Sequence, residues 1–374
     1  VTIQSIHLHR ICVPYGTSRR KQLEQHDPYN MATAKDEGME SLLVCITTAD
    51  GLTGWGEAFG HKCNPSTWAA LAEVIGPYLL GRPSQDPAAL QEQVLRTFHG
   101  FGQTGPILYA LSGIDIALWD IAAQRAGKPL HALLGSNRST VDTYPSLPCY
   151  GDPEEIASQI QRVLALGYRR IKLHETALPV MDAALDAMPQ GTELMVDVNC
   201  PWSREEAATV ARHLKARGMG WLEEPIWPPD DLPGLAALRK ETGMTISAGE
   251  NASGVQGLLQ HFALNAIDVA QPSVAKIGGV TGMLQVVAAA RQHGVRVVPH
   301  CFYYGPGLLA TAHLVACLPQ ETPLEIPFLA FQEKAHAWLN YQPSMALPAQ
   351  PGLGFRPDAD VMARHELCNL ALNA

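Results

Sequence analysis

Charge is scarce in this chain, and what there is does not cluster. Asp, Glu, Lys and Arg make up 17% of the 374 residues, the net charge is −9, and no Lys/Arg run is longer than Arg19-Arg20-Lys21. A nucleic-acid binder carries a basic stripe, so that class is set aside. No apolar run approaches the roughly 18 residues needed to cross a bilayer, which argues against a membrane partner. The N-terminus lacks the charged-then-apolar pattern of a secretion signal. The eight cysteines include no C-x-x-C pair. That speaks against a zinc ribbon or a disulfide scaffold and for a reducing compartment, so a cytoplasmic location is expected. Cys200 and Cys301, each close behind a candidate site residue, read as small apolar filler rather than nucleophiles. What remains is an ordinary globular composition, 47% hydrophobic, in a chain long enough for one large domain and a smaller one.

Two patterns divide the chain. Residues 1–60 alternate between apolar and polar (TIQSIHLHRICV, ESLLVCITTADGLTGWGEAF), as antiparallel strands do, with Asp50-Gly51 as a turn. Between these runs lie about two dozen mostly polar residues, 16–38, a length that marks a functional or disordered loop. Residues 65–135 read as largely helical, with Leu108, Leu111, Ile114, Ala117, Leu118 and Ile121 on one stripe. From about 140 the pattern becomes strand, loop, helix, repeated, and three intervening helices end on Gly167, Gly218 and Gly294. Eight strand-like runs alternating with helices predict a closed parallel barrel, (β/α)7β of the TIM type, under an N-terminal α+β capping domain. The expected boundaries are 1–125 for the cap, 126–345 for the barrel and 346–374 for a Pro/Gly-containing segment that packs back on the cap.

Polar residues recur through the barrel region at the length of one strand-plus-helix unit. Ser146, His174, Asp197, Glu223, Glu250, Ser273, His300 and Glu325 are 23 to 28 residues apart. Nearly all close a short apolar run, and the C-terminal strand ends of such a barrel converge on one site. The matched phase therefore predicts a ring. Asp197, Glu223 and Glu250 would be neighbours, and three carboxylates at one spot repel unless a cation lies between them. Hard oxygen ligands suit Mg²⁺. Glu224 competes with Glu223, but strand alternation predicts that both cannot face inward.

Lys172 and His174 share a strand face. The lysine cation and a metal beside His174 would disfavour imidazolium, leaving a neutral base, while Lys172 could bind a substrate carboxylate. His300 comes from the opposite side of the ring, which allows proton removal on one face and delivery on the other. Glu325, if held protonated, could donate a hydrogen bond to a developing oxyanion; a plain salt bridge is the alternative.

These residues resemble those of the enolase superfamily, in its mandelate racemase/muconate-lactonizing branch. The likeness covers almost the whole chain and is carried by ALSGIDIALWDIAAQRAGKPLHALLG, MVDVN, WLEEP, AGEN and KIGGVTG. It implies Mg²⁺ on Asp197, Glu223 and Glu250, a seventh-strand histidine at His300 and an eighth-strand glutamate at Glu325. It also implies removal of a proton beside a carboxylate to give an enediolate held by the metal. Two positions depart from the pattern. Lys172-Leu173-His174 stands where many relatives have Lys-x-Lys, so His174 inherits the role of base. Ser273 stands where racemase-like members have an Asp paired with the histidine. A serine could orient His300 by hydrogen bond but not stabilise its cation, so His300 is expected to be a weaker base and a stronger acid.

The functional expectation is a lyase, dehydrating a sugar acid to a 2-keto-3-deoxy acid, because the loop residues Arg19, Arg20, His26, Tyr29 and the following His61 offer the donors and acceptors a polyol acid needs. Asn199, Ser273 and Lys276 complete the expected substrate-binding set. The alternatives are a racemase, epimerase or lactone cycloisomerase and, from another class, a non-catalytic sugar-acid-binding barrel, against which the acid trio argues. The expected partners are a small polyhydroxylated carboxylate and further copies of the chain in a homo-oligomer.

Overall fold

The computed structural model describes residues 1–16, 38–338 and 340–374. The cap is built on an antiparallel sheet of β1 (Ile3–Gly16), β2 (Gly38–Thr48) and β3 (Thr53–Ala58). The alternation read from the sequence puts Ile6, Leu8, Val44 and Ile46 in its core. Asp50-Gly51 turns the chain, with Gly51 at φ 85°. The apolar face packs on the helix Pro106–Arg125, whose Leu108, Leu111, Ile114, Ala117, Leu118 and Ile121 are all buried. That helix corrects one expectation: by length and composition alone it could cross a bilayer, yet 72% of the stretch is buried inside the fold. It is a core helix apolar on nearly every side, and its two acids, Asp115 and Asp120, both have fixed partners.

Eight parallel strands form the TIM-type barrel: β4 (Thr140–Ser146), β5 (Arg170–Leu173), β6 (Glu193–Asp197), β7 (Leu222–Glu223), β8 (Ile246–Ala248), β9 (Val269–Ala270), β10 (Arg296–Val297) and β11 (Leu324–Pro327). Their ladder runs β10-β9-β8-β7-β6-β5-β4-β11. The helices between them end where glycine can turn left-handed, as at Gly218 (φ 84°) and Gly294 (φ 67°). Short strands follow: β12 (Ala330–Phe331) pairs with β1, and β13 (Ser344–Ala346) pairs with β4. The last strand, β14 (Glu366–Asn373), lies antiparallel on β1. Ahead of it, Leu353 donates its N–H to Asp120 in the cap helix.

Two cap carboxylates join the layers by sitting on the N-termini of barrel helices, where free N–H groups and the helix dipole favour an acceptor. Asp115 accepts from Thr281 N (2.9 Å) and Thr281 Oγ1 (2.6 Å) at the start of helix Gly279–His293. A Cβ on Gly279 would lie 2.3 Å from that carboxylate, so the second glycine of KIGGVTG is needed for the close approach. Glu57 of β3 accepts from Gly307 N (2.9 Å) in helix Pro306–Val315 and from Ser41 Oγ (2.6 Å).

Burial outweighs these hydrogen bonds and pushes the Glu57 carboxyl up from 4.5 to about 7. The folded protein therefore binds a proton that the unfolded chain has released between those values, and this contribution to stability falls as pH rises through the window. Glu57→Gln removes the titration. Relative to wild type, the variant should gain about 3 kcal/mol between pH 4.5 and pH 7.5. Urea unfolding of both proteins at the two pH values measures it, and a constant difference would show that Glu57 stays ionised throughout.

Candidate active site

The strands deliver the ring to the barrel mouth, though not all at strand ends. Ser146, Asp197 and Glu223 close β4, β6 and β7. Lys172 precedes the last residue of β5 and His174 follows it. Glu250, Ser273 and His300 lie just beyond β8, β9 and β10, while Glu325 is within β11. Ser273 and His300 extend the β9–β10 ladder by an isolated backbone bridge.

Lys172 is fully buried. Its Nζ lies 3.3 Å from Asp197, 3.1 Å from Glu223 and 2.8 Å from Glu325. The expectation that Lys172 meets a substrate carboxylate is thus not what this geometry holds: its charge is engaged by three protein carboxylates. Of the two readings of Glu325, the salt bridge is the one this geometry holds. Burial alone would raise its pKa, but Lys172 and then His300 hold it below the ordinary carboxylate range, so it is a carboxylate in an ion-pair network rather than a protonated donor.

Across the mouth, the His300 Nδ1 contacts Glu250 Oε2 at 2.7 Å and Glu325 Oε2 at 3.5 Å. Burial disfavours its cation, but Glu250 and then Glu325 outweigh that and leave the imidazole easier to protonate than usual. Two glutamates thus face His300 where racemase-like members have a strand-six Asp. Ser273 does not orient His300 with its hydroxyl. Its Oγ bonds the Tyr303 hydroxyl at 2.6 Å.

His174 is held differently. Its Nδ1 lies 2.7 Å from the Leu147 carbonyl, an acceptor only, so that nitrogen carries the proton. In the neutral ring Nε2 is then the unprotonated nitrogen, and it sits 3.4 Å from Asp197 Oδ2.

The carboxylates are crowded. Glu223 is pushed well above its ordinary pKa by burial and then by Asp197. Glu224 rises to about 7 through burial, with Glu250 and Asp197 adding. Asp197 and Glu250 are held low, each against its burial, by Lys172 and by His300 respectively. Only Glu223 joins the donor group, as expected of one inward-facing glutamate, but Glu224 is buried as well, which alternation does not predict. The reason is local. β7 ends at Glu223 and Glu224 adopts φ 46°, so strand alternation no longer applies. Glu224 reaches sideways to the Asn251 side chain instead. Ligand atoms of Glu223, Glu250 and His300 fall within 4.8 Å of one another, a compact donor group, while Asp197 points at Lys172 and His174. Were all five buried or nearly buried carboxylates ionised, their charge would exceed that of Lys172, Lys276 and one histidine, and oxygen-rich donors of that kind fit a hard divalent cation that lets them ionise together.

Around this centre, Asn199 donates its N–H to Asp197 Oδ1 (3.1 Å) from a left-handed turn. Lys276 bonds Asn251 Oδ1 (3.1 Å) and lies over the Phe59 ring. His61 reaches the site from the cap and stacks on Tyr303, centroids 6.0 Å apart. Burial, with the His300 and Lys276 cations nearby, pushes its imidazole down to about 4. Arg19, Arg20, His26 and Tyr29 lie outside the described residues. Both thiols near the centre, Cys200 and Cys301, are pushed up by burial and neighbouring carboxylates, as inert filler would be. Asp268 is away from the mouth, paired with Arg239 at 2.7 Å. Tyr303 and Asn251 were not legible as site residues. The only signal for Tyr303 was a run of three aromatics, Phe302-Tyr303-Tyr304, shortly after His300.

The enolase C-terminal domain-like family model matches residues 155–361, and the mandelate racemase/muconate lactonizing enzyme N-terminal domain model matches residues 16–135. D-galactarolactone cycloisomerase of Agrobacterium fabrum is 28% identical over 94% of this chain and 98% of its own length. L-talarate/galactarate dehydratase of Salmonella typhimurium is 29% identical over 76% of this chain and 72% of its own. Among solved structures, a mandelate racemase/muconate lactonizing protein from Paracoccus denitrificans complexed with magnesium has a TM-score of 0.84 at 26% identity, covering 100% of this chain and 99% of that one.

Proposed function

The chain belongs to the mandelate racemase/muconate lactonizing enzyme family of the enolase superfamily, and on that premise we propose that it dehydrates a sugar acid. The α-proton leaves to His174, the β-hydroxyl leaves as water with a proton from His300, and the enol product tautomerises to a 2-keto-3-deoxy acid. One observation carries this reading. The two histidines bracket the carboxylate cluster, His174 against Asp197 and His300 against Glu250. That arrangement offers a base and an acid on different sides of a substrate held between them.

Asp197, Glu223 and Glu250 are the proposed Mg²⁺ ligands, and the crowding that pushes Glu223 up supports a cation there. When bound, Mg²⁺ supplies positive charge beside the substrate carboxylate, which makes the adjacent C–H more acidic. His174 accepts the proton at Nε2 because its Nδ1–H is tied to Leu147. Asn199, Lys276 and His61 line the approach for substrate oxygens.

The second reading is an isomerase, and the cycloisomerase relative that matches 94% of this chain favours it. Incubating a panel of acid sugars and their lactones with protein and Mg²⁺ separates the two. Dehydration yields a 2-keto acid, whereas isomerisation yields none and shows only rearranged acid or C2–deuterium exchange in heavy water. The loop 16–38 is proposed to cover the substrate. Replacing Arg19, Arg20 and His26 with Ala should raise KM about tenfold or reorder the preferred acids while leaving Mg²⁺ affinity alone. Unaltered kinetics across the panel would count against it.

A further inference from the structure

A buried hydroxyl pair beside His300 is used by none of the steps above. Ser273 Oγ and the Tyr303 hydroxyl lie 2.6 Å apart, and both side chains are almost fully buried. Ser273 is bridged to His300 through the backbone. The Tyr303 ring meets His300 edge-on at 6.4 Å and stacks on His61, so the pair closes one wall of the mouth between barrel and cap. Each hydroxyl carries one proton, and the single bond between them uses one. The other O–H has no acceptor among the described residues. Buried donors left without an acceptor are rare because they forgo hydration with no replacement.

We propose that the Ser273–Tyr303 pair donates this remaining proton to a hydroxyl oxygen of the bound sugar acid on the His300 side, and thereby determines which acids the site accepts. The proposal rests on the sugar-acid reading above. A neutral donor suits a neutral hydroxyl. A site built to hydrogen-bond a substrate hydroxyl rejects analogues that lack it far better than an apolar wall rejects an added group.

The test is calorimetric titration of unreactive hydroxamate analogues of sugar acids, with Mg²⁺ present. Each hydroxylated analogue is compared with its deoxy partner on wild type, Tyr303→Phe, Ser273→Ala and the double variant. Wild type should bind one hydroxylated analogue about tenfold more tightly than its deoxy partner. The double variant should lose about that tenfold on the hydroxylated analogue and nothing on the deoxy one. The single variant that reproduces the loss identifies the donating oxygen. Equal losses on both analogues indicate a packing role only and overturn the assignment, as do unchanged affinities. If the double variant does not fold, a hydroxyl-specific loss in either single variant supports the pair, and its absence from both overturns it. Wild type that binds none of the analogues overturns the sugar-acid reading and this proposal together. Wild type that binds while every variant binds equally overturns this proposal alone.

Discussion

His174→Ala should abolish both product formation and exchange of the C2 proton with solvent, whereas His300→Asn should abolish product formation and leave exchange. The expectation follows from how the two rings are held. The Leu147 carbonyl ties down the Nδ1 proton of His174, so Nε2 is the nitrogen able to accept a proton, and it faces the acid cluster at Asp197. Lys172, on the same strand face, is engaged by three carboxylates. His300 is held by Glu250 and Glu325, which favour its protonated form. It is therefore suited to give a proton to the departing hydroxyl. General acid and base groups contribute about 10²–10⁴-fold, so each loss should bring turnover near background. Proton NMR in heavy water reads exchange, and a 2-keto acid assay reads dehydration. Exchange that survives in His174→Ala and vanishes in His300→Asn would require the roles to be swapped.

The second large effect is expected from the metal ligands. Asp197→Asn, Glu223→Gln and Glu250→Gln should each weaken Mg²⁺ binding by at least about 10²-fold, and chelation of wild type should remove activity until Mg²⁺ is restored. Glu224→Gln should change affinity only a few-fold, because that carboxylate is turned toward Asn251. Stability gives a readout independent of turnover. An ion that binds only the folded protein stabilises it by about 2.7 kcal/mol at a hundred times its Kd. Saturating Mg²⁺ should therefore raise the thermal midpoint of wild type and of Glu224→Gln by a few degrees, and leave the other three variants unmoved. Loss of the shift in Glu224→Gln, with the shift retained in Glu223→Gln, would exchange these two residues in the ligand set.

The ring was legible because a repeated strand-plus-helix unit converts spacing along the chain into position around the mouth. Lys172, His174, Asp197, Glu223, Glu250 and His300 fall together for that reason alone. The reading stops short where the repeat no longer governs direction. Glu224 lies one residue past β7 at φ 46°, and a period of two says nothing about a side chain after its strand has ended. Ser273 was placed correctly in the ring, but its partner was not, because the choice between His300 and Tyr303 depends on where a tyrosine three residues past His300 turns its ring. The choice between the two roles read for Glu325 was electrostatic. The Lys172 ammonium is 2.8 Å away, a contact between residues 153 positions apart.

By itself, then, the sequence determined the order of strands and helices, the apolar faces that make cap and barrel, and the set of polar residues brought to one mouth. These follow from local periodicity, and short strands and helices carry it whatever surrounds them. Only the tertiary structure decided which of those polar residues touch. Lys172 among three carboxylates, His300 between Glu250 and Glu325, and the cap acids Glu57 and Asp115 on barrel helices are all long-range meetings. The physical reason is that charge balance in a buried site is set by distances of a few ångströms between groups from different strands, and no spacing along a single chain encodes those distances.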